Sequence, residues 1–442
     1  MTSLATSSCT PLRHPDLRLG SVERYGDIDV TYPPLVLDAE ARARHLYAIG
    51  ATGSGKSTLL LALMAQDLAA GGGFCLIDPH GDLAADVLAL IPRRRTHDVC
   101  LIQPAGAARP VGLNPLAGVP SHAIALQAAN ITAACRHAWA DSWGPRLDYI
   151  LSRGLQTLIE VNTTVRGRPA LSLIALGRLF ADAEFRASLL HHVHDPTVIA
   201  FWRDEFDRWP AAKREEALMP LQNKIGALLS HPDLRSLWGQ SHATIDIAEC
   251  LARRQIIIAD FSKARLGEEN ARLAGALLVS AITQAAMERS REARAPFALY
   301  VDEFQNFATT TFEVILSEAR KWNLSLILVH QALSQIPERL RAAILANAGS
   351  IVAFRTSYED ASVLALRLQL NNPDQLVELA NWTARVSLLQ SGVPSEPFHL
   401  TTDPPKVGHV GRAAKVQRES AARFGRPRGV VEDAIRRFLT PT

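Results

Sequence analysis

Gly50-Ala51-Thr52-Gly53-Ser54-Gly55-Lys56-Ser57-Thr58 fits the pattern G-x-x-x-x-G-K-[ST], and the stretches on either side supply the context that pattern needs. His45 to Ile49 reads as a short buried strand entering the loop, and Leu59 to Leu68 reads as a helix leaving it. Glycines let the backbone curl so that its N–H groups converge on phosphate oxygens, and the following helix N-terminus adds partial positive charge. The candidate nucleotide-binding set is therefore Gly50, Thr52, Gly53, Ser54, Gly55, Lys56, Ser57 and Thr58. Lys56 is expected to reach the β- and γ-phosphates of ATP, and the Ser57 hydroxyl to ligate Mg²⁺.

A phosphate loop needs an acidic partner opposite its lysine. Phe297 to Val301 is a compact apolar strand that ends in Asp302-Glu303. Asp302 suits the Mg²⁺ shell, and Glu303 suits orienting or activating the attacking water, because phosphoryl transfer is catalysed chiefly by positioning and electrostatics. The next strand, Leu324 to Val329, ends in His330-Gln331, and an amide at Gln331 can bridge the γ-phosphate to moving parts. Arg320 lies on the intervening helix, off its apolar stripe. Spacing alone leaves it either a transition-state cation, in its own subunit or a neighbour's, or a plain surface charge. Arg355, at the end of strand Ser350 to Phe354, is a weaker candidate for the same role and joins the nucleotide-binding set.

Elsewhere along the chain, strands alternate with helices, which implies an α/β fold with a mostly parallel sheet covered on both faces. Phe74 to Ile77, Asp98 to Gln103 and Gln255 to Asp260 are further strands, and Arg385 to Gln390 the last. Asp78 and His80 follow a strand end, where either turn construction or chemistry is expected, and Asp82 reads as the N-cap of the helix Leu83 to Ile91. From Ser121 to Ile245 apolar residues recur at helical spacing instead, which predicts an all-helical insertion of about four to six helices. His191, His192 and His194 lie in it without a carboxylate or cysteine at ligand spacing and read as a helix-end cluster.

The expected division is a lead-in over 1–44 with a short hairpin near Ser21 to Leu37, α/β segments over 45–120 and 246–404, the helical insertion over 121–245, and a basic tail over 405–442. That tail holds nine Lys/Arg against three Asp/Glu; it reads as solvated surface or a subunit-docking segment, with nucleic-acid contact as the lesser alternative, and Val430 to Leu439 as a short helix. The whole chain of 442 residues carries only +3, so any nucleic-acid surface is local. Five dispersed cysteines suggest neither a zinc ribbon nor a disulfide scaffold. No run of 18 apolar residues and no secretion segment occurs, so a cytoplasmic chain without a transmembrane segment is expected. Asn223-Lys224 begins the guanine-reading N-K-x-D, but Gly226 stands at its fourth position.

Four segments occur in a telling order: Ile49 to Thr58, Leu76-Ile77-Asp78-Pro79-His80-Gly81-Asp82, Gly112-Leu113-Asn114-Pro115-Leu116 and Tyr300-Val301-Asp302-Glu303-Phe304-Gln305. Together they resemble the HerA/FtsK superfamily of DNA-pumping ATPases and, within it, soluble relatives of the TraG/TraD-like coupling proteins of type IV secretion. The resemblance spans roughly residues 20–400. It implies a RecA-like P-loop fold, with Lys56 and Ser57 as nucleotide and Mg²⁺ residues. Asp302 and Glu303 become the acidic pair, Gln331 the third-motif glutamine, and Arg320 the arginine that reaches a neighbouring subunit's site. It also implies a homo-oligomeric ring, usually of six, around DNA, single- or double-stranded. The partners it suggests are a relaxase, a nuclease or a secretion channel. An ATP-binding recruitment adaptor, docking a protein or relaxase through the helical insertion, and a HerA-like end-processing motor are the alternatives. His330 departs from the family pattern, where a small residue is common.

Overall fold

Apolar runs of four to seven residues, punctuated by helices, can bury both of their faces only inside a sheet with helices above and below. The computed structural model, which describes residues 13–22, 34–165, 167–309, 311–404 and 408–440, has that architecture. Its strands are β1 (Leu17–Val22), β2 (Pro34–Leu37), β3 (Leu46–Ile49), β4 (Gly73–Asp78), β5 (Val99–Ile102), β6 (Ile256–Asp260) and β7 (Phe297–Val301). They continue with β8 (Leu324–His330), β9 (Ser350–Phe354), β10 (Thr383–Ser387), the two-residue strands β11 (Leu389–Gln390) and β12 (Val393–Pro394), and β13 (Phe398–Thr402). One 11-stranded sheet runs β2-β1-β13-β10-β9-β3-β8-β7-β4-β6-β5. From β9 to β5 the strands are parallel, and β10, β13, β1 and β2 extend that sheet with antiparallel pairings.

The two-residue period of β3 sorts its side chains between two cores. Leu46 and Ala48 face α2 (Lys56–Ala70) and α3 (Asp82–Leu90), while Tyr47 and Ile49 join the opposite core with α13 (Glu268–Glu288) and α14 (Thr311–Glu318). α1 (Ala39–Arg42) and α12 (Lys263–Leu266) are single turns. α15 (Glu338–Asn347), α16 (Tyr358–Leu368) and α17 (Asp374–Val377) place Ile344, Leu364 and Leu376 in the same core as Ile351 and Ala353 of β9. The expected lead-in hairpin exists as the β1–β2 pair, with its connection, 23–33, outside the described residues.

Between β5 and β6 the chain is helical: α4 (Ile124–Ala138), α5 (Pro145–Thr164), α6 (Ala175–Ala181), α7 (Ala183–Leu190), α8 (Pro196–Ala200), α9 (Ala211–Ser230), α10 (Pro232–Trp238) and α11 (Ile247–Ala252). The helices are more numerous than the four to six that the apolar spacing predicts, and Asp182 and Asp195 cap the starts of α7 and α8. Their apolar side chains merge with Ile77, Cys100 and α13 in one cluster, so the lobe shares its core with the sheet.

The basic stretch at the end is folded: the helix expected over Val430 to Leu439 forms, and a second, longer one precedes it. α18 (Val410–Phe424) buries Val416 against the α2–α3 face, and its Ser420 hydroxyl accepts from the Leu101 amide. α19 (Arg428–Leu439) seats Val431 and Ile435 against Ile174 of the helical lobe. Arg412, Arg423 and Arg428 donate to the backbone carbonyls of Ile91, His97 and Ala107, and Arg428 also pairs with Asp233. Composition counts charges, whereas packing decides which of them remain free for a partner. Truncation at residue 405 would uncover both apolar seams, so it does not isolate a DNA-affinity effect.

Beneath the P-loop helix, Arg42 and Asp67 form a bidentate ion pair of 2.7 and 2.5 Å, and the Tyr300 hydroxyl donates to Asp67 at 2.6 Å. Both charged side chains are 1% exposed. Removing one partner strands the other charge in a dry interior. Asp67→Ala is therefore expected to lower unfolding free energy by about 3–5 kcal/mol in a denaturant titration. A loss below about 1 kcal/mol would show that the pair is not buried as described.

Candidate nucleotide site

β3 delivers the loop, and two neighbouring strands hold it. The Gly50 amide donates to the His330 carbonyl at the end of β8 (3.3 Å), and the Ala51 amide donates to the Arg355 carbonyl beyond β9 (2.7 Å). Gly53 and Gly55 have φ of +76° and +122°, which side-chain-bearing residues rarely adopt. Gly55 is the N-cap of α2, so Lys56, Ser57 and Thr58 form its first turn with unpaired helical N–H groups. Thr52, Gly53 and Ser57 are exposed along the loop, whereas Ser54 is buried. The Lys56 ammonium folds back over the loop, donating to the carbonyls of Gly50 (2.6 Å) and Ala51 (2.9 Å). Burial lowers its pKa, while the Glu303 and Asp302 carboxylates pull the other way.

Asp302 and Glu303 follow β7 at the same edge of the sheet. Burial pushes the Asp302 carboxyl up to about 7, with Glu303 and Asp78 adding to it and the Glu303 amide and Lys56 opposing. Glu303 sits in the left-handed region at φ +46°, a conformation that costs a non-glycine residue about 1–3 kcal/mol and clusters at functional sites. Asn306 holds it there, its side-chain amide donating to the Glu303 carbonyl at 2.7 Å. Both carboxylate oxygens are engaged: Gln331 donates to Oε1 at 2.7 Å and Gln305 to Oε2 at 2.6 Å. The Thr52 hydroxyl in turn donates to Gln331 Oε1 at 3.2 Å. A continuous chain, Thr52–Gln331–Glu303, thus ties the P-loop to the acidic pair. The strand ends suggested these residues; the bonds of Gln305 and Thr52 carried no sequence signal.

The donor set fits a Mg²⁺-nucleotide. An open, left-handed glycine loop leads into a free helix N-terminus, a lysine is bonded only to loop carbonyls, and an aspartate is raised by burial and, after that, by neighbouring negative charge.

His330, the residue that departs from the family pattern, is accommodated by a partner. Its Nε2 hydrogen-bonds the buried Tyr47 hydroxyl, and its ring meets Phe304 edge-on at 4.9 Å. Burial lowers its pKa to about 3, so the ring is neutral beside Lys56. Asp78 proves to be a building residue: its two oxygens accept from the His80 and Ala84 amides. It therefore caps α3, where Asp82 was expected to; Gly81 at φ +95° is the N-cap position and Asp82 the first helical residue.

Arg320 is exposed, in a 3-10 turn (Ala319–Trp322) that leads into the start of β8. Gln331 lies just past the far end of that seven-residue strand. At about 3.3 Å per residue, that strand sets Arg320 roughly 20 Å from Gln331. Arg355 is half-buried beside the loop that its carbonyl supports.

The family described as the TraM recognition site of TraD and TraG matches residues 296–365, and the central domain of helicase HerA matches residues 20–110. No curated protein matches the chain. The conjugative coupling protein TrwB, in its unbound monoclinic form, shares the fold with a TM-score of 0.64 at 16% identity, over 92% of this chain and 98% of that one. TrwB in complex with ADP and Mg²⁺ gives 0.64 at 17% identity, over 91% and 98%. VirB4 of Thermoanaerobacter pseudethanolicus gives 0.52 at 14%, over 89% and 98%. Among the described residues, no helix is long and apolar enough to cross a membrane. One family match contains the P-loop, the other the acidic pair with Arg320, Gln331 and Arg355, and the fold joins them: the chain resembles the TraG/TraD-like coupling ATPases of the HerA/FtsK superfamily.

Proposed function

We propose that this chain is a Mg²⁺-dependent ATPase that translocates DNA as a homo-oligomeric ring, usually of six, with its motor in residues 45–120 and 246–404 and a helical lobe over 121–245. The observation that carries the proposal is the Thr52–Gln331–Glu303 chain, which couples the phosphate loop to a strained, amide-held carboxylate. Lys56 leaves its loop carbonyls to bind the β- and γ-phosphates. Ser57 and Asp302 hold Mg²⁺, which when bound neutralises charge on those phosphates. Glu303 orients the attacking water, and Gln331 senses the γ-phosphate and passes its loss along β8. Arg320, carried to the far edge of the sheet, completes a neighbour's site.

Phosphate contacts by scattered Lys/Arg make DNA binding sequence-tolerant. Long DNA is expected to raise the ATPase rate several-fold, and short oligonucleotides that cannot thread a ring to raise it little. Binding should weaken steeply with salt, by a logarithmic slope of about 0.7–0.9 per neutralised phosphate. ATPase assays at low salt with assembled rings decide the matter; a rate indifferent to every DNA form rejects the motor. That result would favour the recruitment reading, which the description of the 296–365 match supports. Its matched stretch lies in β7 to α16 rather than in the helical lobe, so the docking surface would then be on the motor.

A further inference from the structure

Trp382 stands between α17 and β10, is 53% exposed, and adopts φ +64°. A large aromatic residue with both features is unusual: the indole gives up burial and the backbone sits in a region that favours glycine. Its backbone is nonetheless tightly fixed. The Trp382 amide donates to the Ser54 carbonyl in the P-loop (2.7 Å), and its carbonyl accepts from the Thr402 amide (2.9 Å) and hydroxyl (3.0 Å). The ring lies against the loop so closely that a Cβ on Gly55 would meet Trp382 Cα at 3.1 Å and Cδ1 at 3.3 Å. Strain at such a position marks a place where the surrounding structure over-determines the conformation.

The polarity of the site says what this indole faces. Gln331, Glu303 and Asp302 follow β8 and β7, on one side of the P-loop strand, so the terminal phosphate lies toward them. The other end of a bound nucleotide then points toward β9 and β10, the strands on the opposite side of β3. Because β10 runs antiparallel to β9, its first residue is at the edge of the sheet where the P-loop lies, and Trp382 precedes that residue. We propose that Trp382 is the base-stacking platform of the nucleotide site, taking the purine of a nucleoside triphosphate on its exposed face. The proposal rests on the nucleotide reading above and adds what that reading leaves open, namely how the base is held. Every purine has a π-face, so a stacking platform of this kind accepts ATP and GTP similarly.

The test uses the full chain with Mg²⁺, titrated calorimetrically with ATP, GTP and inorganic tripolyphosphate. Trp382→Ala and Trp382→Gly, the latter suited to the positive φ, should weaken ATP and GTP by about 10- to 100-fold. Both should leave tripolyphosphate within about two-fold, and Trp382→Phe should keep purine binding within a few-fold. ATP affinity unchanged in the Ala and Gly variants would overturn the proposal. So would an equal loss of tripolyphosphate, which would make Trp382 a brace for the loop. Failure of the nucleotide reading looks different: the wild-type chain would not bind ATP, or Lys56→Ala would bind ATP and tripolyphosphate as tightly as wild type.

Discussion

Lys56→Ala is expected to abolish ATP turnover while leaving the fold intact, with phosphate release reduced by at least about 10²- to 10³-fold. The ammonium is held in a partly desolvated loop, where its attraction for phosphate is far stronger than in water. Of the other candidate cations among the described residues, Arg355 touches the loop through its carbonyl, and Arg320 is a strand-length away. Glu303→Gln should separate binding from chemistry. An amide keeps the size of the side chain but loses the charge that orients water, so the variant should bind ATP and hydrolyse it poorly. Circular dichroism and thermal melting would check that both variants fold. Normal hydrolysis by either one would remove the site assignment.

Arg320→Ala should be nearly as damaging, for a reason that only a ring supplies. The variant should bind ATP with ordinary affinity, since Arg320 is roughly 20 Å from its own P-loop edge, and should fail to hydrolyse it. Mixing Arg320→Ala with Lys56→Ala subunits should restore part of the activity, because some interfaces then pair an intact Lys56 with a neighbour's intact Arg320. Arginine contributions of this type reach about 10³- to 10⁵-fold, so even modest complementation is measurable. A catalytically competent monomer in sedimentation would sink the shared-site idea.

Continuous apolar strands between helices, a glycine-rich loop and an acidic strand end were legible in the sequence, because each obeys a local rule. Buried parallel strands must be apolar along their length, as β7 is and as β4 and β6 are up to a terminal aspartate; a phosphate cradle must contain glycine; a strand end must leave the apolar run. The parallel sheet, the P-loop and the positions of Asp302, Glu303 and Gln331 follow from such rules. What the tertiary structure decided involves residues far apart in the chain. The left-handed Glu303, the amides on both its oxygens, and the Thr52 link across 279 positions depend on how β3, β7 and β8 lie side by side. Asp78 rather than Asp82 caps α3 because the strand end turns its carboxylate onto the His80 amide and the first-turn amide of Ala84, a direction that spacing does not encode. The basic C-terminal stretch reads as a tail by composition, yet Val416, Val431 and Ile435 find apolar seams on two distant parts of the chain. Trp382 carries no motif at all; only the antiparallel turn of β10 back to the P-loop edge sets an exposed indole against Gly55. Local pattern determines which element a residue joins, whereas contacts between elements determine which of its atoms remain free to act.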